Sequence, residues 1–260
     1  MEKNIKISKL IFFIPARSGS TRLKNKNLKK FKQTSLLVNK IKSCQATKFG
    51  DVIVSTDSNK IAKIAIRYGA KIINLRNKNL ATSKSSMISS VIDLINNLEK
   101  KKINKPNYIA IVPLTCPLLK TSTIKTICRK IIARKNFNSI SSIYPSNIDP
   151  FNIIQLKNKI MFDTFKLSNK KFSTFERSQD KPKFHKISSA IQISKTKYFE
   201  RFKYNNLTKL MKKPIDVNSC IFHRINPVEN FDINDAVDYK ILIKLLSRYK
   251  LLEMISKKFY

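Results

Sequence analysis

Short apolar runs alternate along this chain with longer segments in which apolar residues recur every three or four positions. Runs bounded by polar turns predict buried strands, and the helical recurrence predicts helices with one buried face. Residues 10–14 form the first predicted strand. A helix follows over 35–46, with Leu36, Leu37, Ile41 and Cys44 on its inner side. The run 51–55 predicts a second strand, ending at Thr56-Asp57-Ser58, a cluster suited to capping the next helix. That helix carries Ile61, Ala62, Ile64, Ala65 and Tyr68 and stops at Gly69. A short third strand is expected at 71–75. Helices at 85–98 and 122–134 flank a central strand at 108–112, and another strand starts at 139. From 147 to 214 the pattern becomes mixed and β-rich, with 187–193 its clearest strand, and a small lobe inserted before the closing elements is expected. A terminal amphipathic helix from about 234 uses Val237, Ile241, Leu242, Leu245, Leu246 and Tyr249.

Such alternation builds βαβ units, so the fold class is α/β, with a Rossmann-like, mostly parallel sheet flanked by helices. The 260 residues suit one large domain with its lobe. A 42% hydrophobic fraction argues for a folded chain rather than a disordered one. Basic residues number 53 against 16 acidic ones, a net charge of +37 that raises nucleic acid as a partner. Only ten of the 53 are Arg, and the lysines are scattered without a basic tail. Specific phosphate and base recognition favours the planar fork of Arg, so nucleic acid is expected only non-specifically, through charge. Cys44, Cys116, Cys128 and Cys220 have neither paired nor metal-ligand spacing. They predict reduced thiols and a cytoplasmic protein. No run approaches a membrane span, and no membrane partner is expected.

Candidate chemistry gathers where predicted strands end. Residues 14–27 read IPARSGSTRLKNKN, a buried strand entering a turn of small hydroxyl residues around Gly19, then cations. This order presents backbone amides and positive charge to phosphates. Arg17, Ser20, Arg22, Lys24 and Lys26 are the candidates there. Three further clusters follow strands, the position where open α/β sheets bind ligands: Thr56-Asp57-Ser58, Arg76, and residues 113–120, PLTCPLLK, with Thr115 facing a base or sugar. Near the end, Asp232, Asn234 and Asp235 lie before the last helix, as metal ligands or as a helix cap.

Together these segments resemble the acylneuraminate cytidylyltransferases, the CMP-sialic acid synthetases and their relatives for legionaminic and pseudaminic acids. IPARSGSTRLKNKNL is similar to that family's phosphate loop, and VSTDSNKIAKIAIRYGA, residues 54–70, to its VSTDSEEIAEIAKKYGA. By this resemblance Arg17, Ser20, Arg22, Lys26 and Asn27 bind CTP, and Arg76 serves the cytosine ring. Arg177, Gln179, Asp180, Pro182 and Lys183 resemble the RQDxPKxY segment linked to the sugar acid and the dimer lobe. DINDAVDY, residues 232–239, resembles DIDTPEDF, whose first carboxylate becomes Asp232 and whose second becomes Asn234.

Departures are equally specific. Pro113 replaces a sugar-associated Gln, Cys116 a Ser, Leu119 an Arg, Ser83 an Asp, and Thr21 a Lys. The resemblance implies a fold of the nucleotide-diphospho-sugar transferase type and a homodimer whose lobe, about 147–214, reaches the partner. It implies a Mg²⁺-dependent transfer from CTP to a 2-keto sugar acid, with Arg17, Lys26 and Asp232 central to the chemistry. The STRL tetrapeptide at 20–23 also resembles CMP-KDO synthetases, the nearest alternative, although the QGDEP strand end of those enzymes is absent. A non-catalytic nucleic-acid-binding protein and a degenerate synthetase are the more distant readings.

Overall fold

The computed structural model describes residues 7–82, 85–146, 154–157, 160–163, 183–202 and 214–248. Its centre is a six-stranded sheet ordered β10-β6-β9-β5-β1-β4. Here β1 is Leu10–Pro15, β4 Asp51–Ser55, β5 Tyr108–Ile111, β6 Ser139–Pro145, β9 His185–Lys195 and β10 Cys220–Arg224. The pairs β1/β4, β1/β5 and β6/β10 are parallel, while β9 runs antiparallel to both β5 and β6. The sheet is therefore mostly parallel, as the alternation of strand and helix patterns predicts. Two small ribbons accompany it: β2 (Lys30–Phe31) with β3 (Thr34–Ser35), and β7 (Ile154–Lys157) with β8 (Ile160–Asp163).

Alternate side chains of β1 point to opposite faces, and both are covered. Leu10, Phe12 and Ile14 pack with Val52, Val54, Ala110 and Val112 against Leu37 and Ile41 of α1 (Leu36–Gln45). Ile61 and Ala65 of α2 (Asn59–Arg67), and Ile124, Ile127 and Ile131 of α4 (Thr121–Ala133), complete that layer. On the other face Ile11, Phe13, Ile53, Ile109 and Ile111 meet Ile88, Val91, Leu94, Ile95 and Leu98 of α3 (Met87–Lys100) and Phe199 of α5 (Thr196–Glu200). Burial on both sides explains why β1 reads as a continuous apolar run. Each large side chain so buried contributes roughly 1.5–3 kcal/mol.

Helix starts follow a common rule. Ser35, Ser58 and Ser86 accept from the amides of Val38, Ile61 and Ser89 at the heads of α1, α2 and α3, each cap contributing about 1 kcal/mol. Gly69, at φ 78°, ends α2 where expected. Gly50 answers a different need: a Cβ there would lie 1.9 Å from the Leu10 carbonyl oxygen.

Three expectations are corrected. No ladder forms at 71–75; Lys71 alone bridges Ile53, after which the chain leaves the sheet so that the Arg76 amide reaches the Thr56 carbonyl. Ile73 is 2% exposed, so its hydrophobicity reflects packing under α3 rather than strand pairing. The 187–193 strand belongs to the main sheet, not to a separate lobe, because β9 completes the hydrogen bonding of both β5 and β6. Finally, α6 (Ala236–Ser247) buries Leu242 but leaves Val237 and Ile241 exposed. Tyr239, Leu242 and Leu246 form its inward stripe, pinned by Tyr239 donating to the Lys30 carbonyl at 2.7 Å. Tyr249 lies outside the described residues.

Candidate active site

Because β4, β1 and β5 are parallel, their carboxyl ends share one edge, and the loops leaving them enclose a cleft of about 390 Å³. That size suits a nucleotide. Arg17, Ser20, Thr21, Arg22, Lys26 and Asn27 line one wall, and Pro113, Leu114 and Thr115 the floor. Arg76 and the head of α3, with Ser85, Ser86 and Ser90, form a third side, while Asp232 and Asn234 face it from the end of the chain. Every residue that the resemblance assigns to CTP thus borders a single cavity, as do Asp232 and Asn234, whereas the candidates Lys24 and Asp235 do not line it. Of the four predicted sugar residues, Arg177, Gln179 and Asp180 lie outside the described residues, as does Ser83. Lys183 is exposed just before β9 and does not line this cleft.

The cationic wall is held from behind. Asp57 accepts from the Ser18 amide at 2.7 Å and from its hydroxyl at 2.5 Å. Burial pushes the Asp57 carboxyl up, but these Ser18 bonds outweigh it and the net direction is down. Asp57 therefore anchors the loop, and Ser58 supplies the helix cap expected of the pair. Asn27 is buried and donates to the Arg17 carbonyl at 2.7 Å, closing the loop on itself. Asn25 makes the turn at φ 55°, a left-handed conformation that Asn tolerates. Among the described residues a Cβ on Gly19 would meet nothing within 4 Å, so their packing makes no demand for glycine there. Arg76, 6% exposed, is fixed by bonds from Nε to the Ser55 hydroxyl at 3.0 Å and from Nη2 to the Ser55 carbonyl at 2.9 Å.

Ile233 joins the walls. Its side chain is fully buried against Leu23 of the loop and Leu242 of α6. Its amide donates to the Thr115 carbonyl at 2.8 Å, and its own carbonyl accepts from Lys26 Nζ at 3.0 Å. Burial lowers the Lys26 pKa; Asp232 opposes that shift, and Arg22 and Arg17 add to it.

A family model described as Cytidylyltransferase matches residues 11–213, well over half the chain. The chain belongs to the cytidylyltransferase family. It is 27% identical over 241 residues to the CMP-N,N'-diacetyllegionaminic acid synthase of Legionella pneumophila, covering 92% of this chain and 96% of that one. The Campylobacter jejuni protein of the same name is 26% identical over 245 residues, covering 93% and 96%. Among solved structures, CMP:2-keto-3-deoxy-manno-octonic acid synthetase complexed with CTP superposes with a TM-score of 0.64 over 92% of this chain and 99% of that one. At 12% identity this last likeness is one of fold.

Acidic groups in this cytidylyltransferase divide sharply by use. Asp235 caps α6, accepting from the amides of Val237 at 2.8 Å and Asp238 at 3.0 Å. Asp238 returns the bond, accepting from the amides of Asn234 at 2.7 Å and Asp235 at 3.3 Å. Asp232 differs: its Oδ1 is buried without a hydrogen-bond partner among the described residues. An orphaned carboxylate oxygen at a cleft is costly unless a cation or donor arrives to meet it. It fits Mg²⁺, which commonly takes one or two carboxylates and completes its shell with water and substrate phosphates. Asn234 adds only a neutral carbonyl, and no group of three or more His, Cys, Asp or Glu able to hold a metal occurs among the described residues.

Two buried charges escape sequence reasoning. Lys40 lies on the apolar side of α1 and is 1% exposed. Glu229, 5% exposed, accepts from the Lys120 amide at 2.9 Å and the Thr123 hydroxyl at 2.7 Å, capping α4 where Lys120 has no capping side chain. Periodicity assigns both to solvent because it counts residue types, and neither stands in a motif. The four cysteines are free, with burial pushing Cys116 up to about 11.

Proposed function

We propose that this cytidylyltransferase activates a nonulosonic acid of the diacetyllegionaminic type, forming the CMP-sugar and pyrophosphate from CTP. The observation that carries the reading is the cleft itself, where a cationic loop and a carboxylate oxygen without a partner among the described residues meet at the ends of parallel strands. Relatives that align along nearly the whole chain carry that sugar in their names.

In the reaction the anomeric hydroxyl attacks the α-phosphorus in line and gives up its proton to solvent, while the bond to pyrophosphate breaks with its electrons leaving on oxygen. Arg17, Arg22 and Lys26 bind the triphosphate and neutralise charge that builds on the leaving group. Arg76 and the hydroxyl-rich head of α3 take the cytidine. Asp232 and Asn234 would hold Mg²⁺, which when bound supplies further charge neutralisation at the phosphate oxygens. Thr115 borders the reacting centre, and alignment of the two substrates supplies much of the rate. Arg177, Gln179, Asp180 and Lys183 serve the sugar acid of a partner protomer's cleft in a homodimer. No helix among the described residues is long and apolar enough to cross a membrane, and dependence on CTP assigns the reaction to the cytoplasm.

Pyrophosphate release with Mg²⁺ and CTP, across diacetyllegionaminic, pseudaminic, sialic and KDO acids, tests the proposal. Fastest turnover with the first is expected; turnover with KDO alone would replace the substrate assignment.

A further inference from the structure

Lys40 occupies a position that stability alone does not explain. A fully buried ammonium is costly, and an apolar side chain of similar length commonly does as well or better. Lys40 Nζ donates to the Cys116 carbonyl at 2.7 Å, across from α1 to the turn between β5 and α4. That turn forms the cleft floor through Pro113, Leu114 and Thr115. One residue before Cys116, the Thr115 carbonyl receives the Ile233 amide, and the Ile233 carbonyl receives Lys26. At the turn's far end Glu229 holds the Lys120 amide. A rigid helix is thus tied through one long side chain to the main chain that spaces the acidic segment from the phosphate loop.

We propose that Lys40 is a positioning residue for nucleotidyl transfer: its ammonium fixes the 113–119 turn and, through Ile233, the placement of Asp232 opposite the cationic loop. Lys40 does not line the cleft and acts through these main-chain groups. The inference rests on the proposed reaction, and burial lowers the pKa of Lys40 itself.

Lys40→Met removes the donor and keeps the length. Expected are a melting temperature equal to or above the parent's, a kcat for pyrophosphate release at least tenfold lower, and a calorimetric Kd for CTP changed less than threefold. Amide exchange in 113–119 and 231–235 should rise about tenfold while α1 stays protected. Lys40→Gln, which keeps an N–H donor, should recover part of kcat. A folded Lys40→Met chain with kcat within twofold of the parent and unchanged exchange overturns the assignment. If Lys40→Met fails to fold, the ammonium is structural and the assignment falls, unless Lys40→Gln folds and shows the same split between kcat and Kd. A parent without turnover on any sugar defeats the reaction reading instead, and the exchange comparison still decides whether Lys40 holds the turn.

Discussion

The two walls of the cleft handle charge in opposite ways. On the phosphate-loop side Ser18 donates to Asp57 and Asn27 to the Arg17 carbonyl, bonds that leave the Arg17 and Arg22 side chains bordering the cavity. On the acidic side Asp235 and Asp238 are occupied with each other and the amides of α6, and Asp232 is left with an oxygen unmet among the described residues. Counting residues would give the acidic segment three carboxylates. What remains after local hydrogen bonding gives it one, and that remainder governs what the site can hold.

Breaking either wall at its exposed chemistry should have the largest effect. Arg17→Ala and Asp232→Ala are each expected to lower kcat/KM for CTP by about 10²–10³-fold, as loss of a single preorganised charge contact does, in a steady-state pyrophosphate assay. Near-normal rates in both would remove the site assignment. Next comes the support behind the loop. Asp57→Ala frees Ser18 without touching the cleft, so a rise of about tenfold in KM for CTP is expected, with kcat within about threefold. An equal loss in kcat would mean that the loop shapes the transition state as well as the ground state.

Lys26 sharpens the comparison through pH. Burial depresses its pKa, so the ammonium is lost below the ordinary lysine range near 10.4. Since the charged form neutralises phosphate, kcat/KM should fall as pH rises through that lowered midpoint, and Lys26→Arg should move this limb upward. Stability has the opposite sign: a proton held less tightly in the folded chain than in the unfolded one destabilises at lower pH. That cost disappears as pH rises through the folded midpoint toward the unfolded one. The smallest effect is expected at Asn234. Asn234→Asp restores a second carboxylate and should tighten Mn²⁺ binding in the presence of CTP several-fold, read by electron paramagnetic resonance; unchanged binding would mean that position 234 does not face the metal.

The parts of this fold legible from sequence are those where one force dominates. β1, β4 and α2 fall at or within a few residues of their predicted bounds because burial, serine caps and a left-handed Gly69 agree. The cleft residues at 17–27 and 113–115 are legible because they follow β1 and β5, whereas Asp232 and Asn234 are legible only through the resemblance of 232–239. Nothing local marks Asp57 as the anchor of the phosphate loop, because its partner, Ser18, is 39 residues away. The place of β9 in the main sheet is not legible because pairing between distant strands leaves no local mark, and the burial of Lys40 is not legible because it depends on the turn above it. The 71–75 strand failed where the need to deliver Arg76 to Ser55 overrode strand propensity.

The most direct test of the account is a crystal structure with CTP and Mn²⁺. The triphosphate should lie against Arg17, Arg22 and Lys26, with the anomalous manganese signal at Asp232 Oδ1 between the two walls. Nucleotide bound away from the loop, or manganese bound away from Asp232, would contradict it.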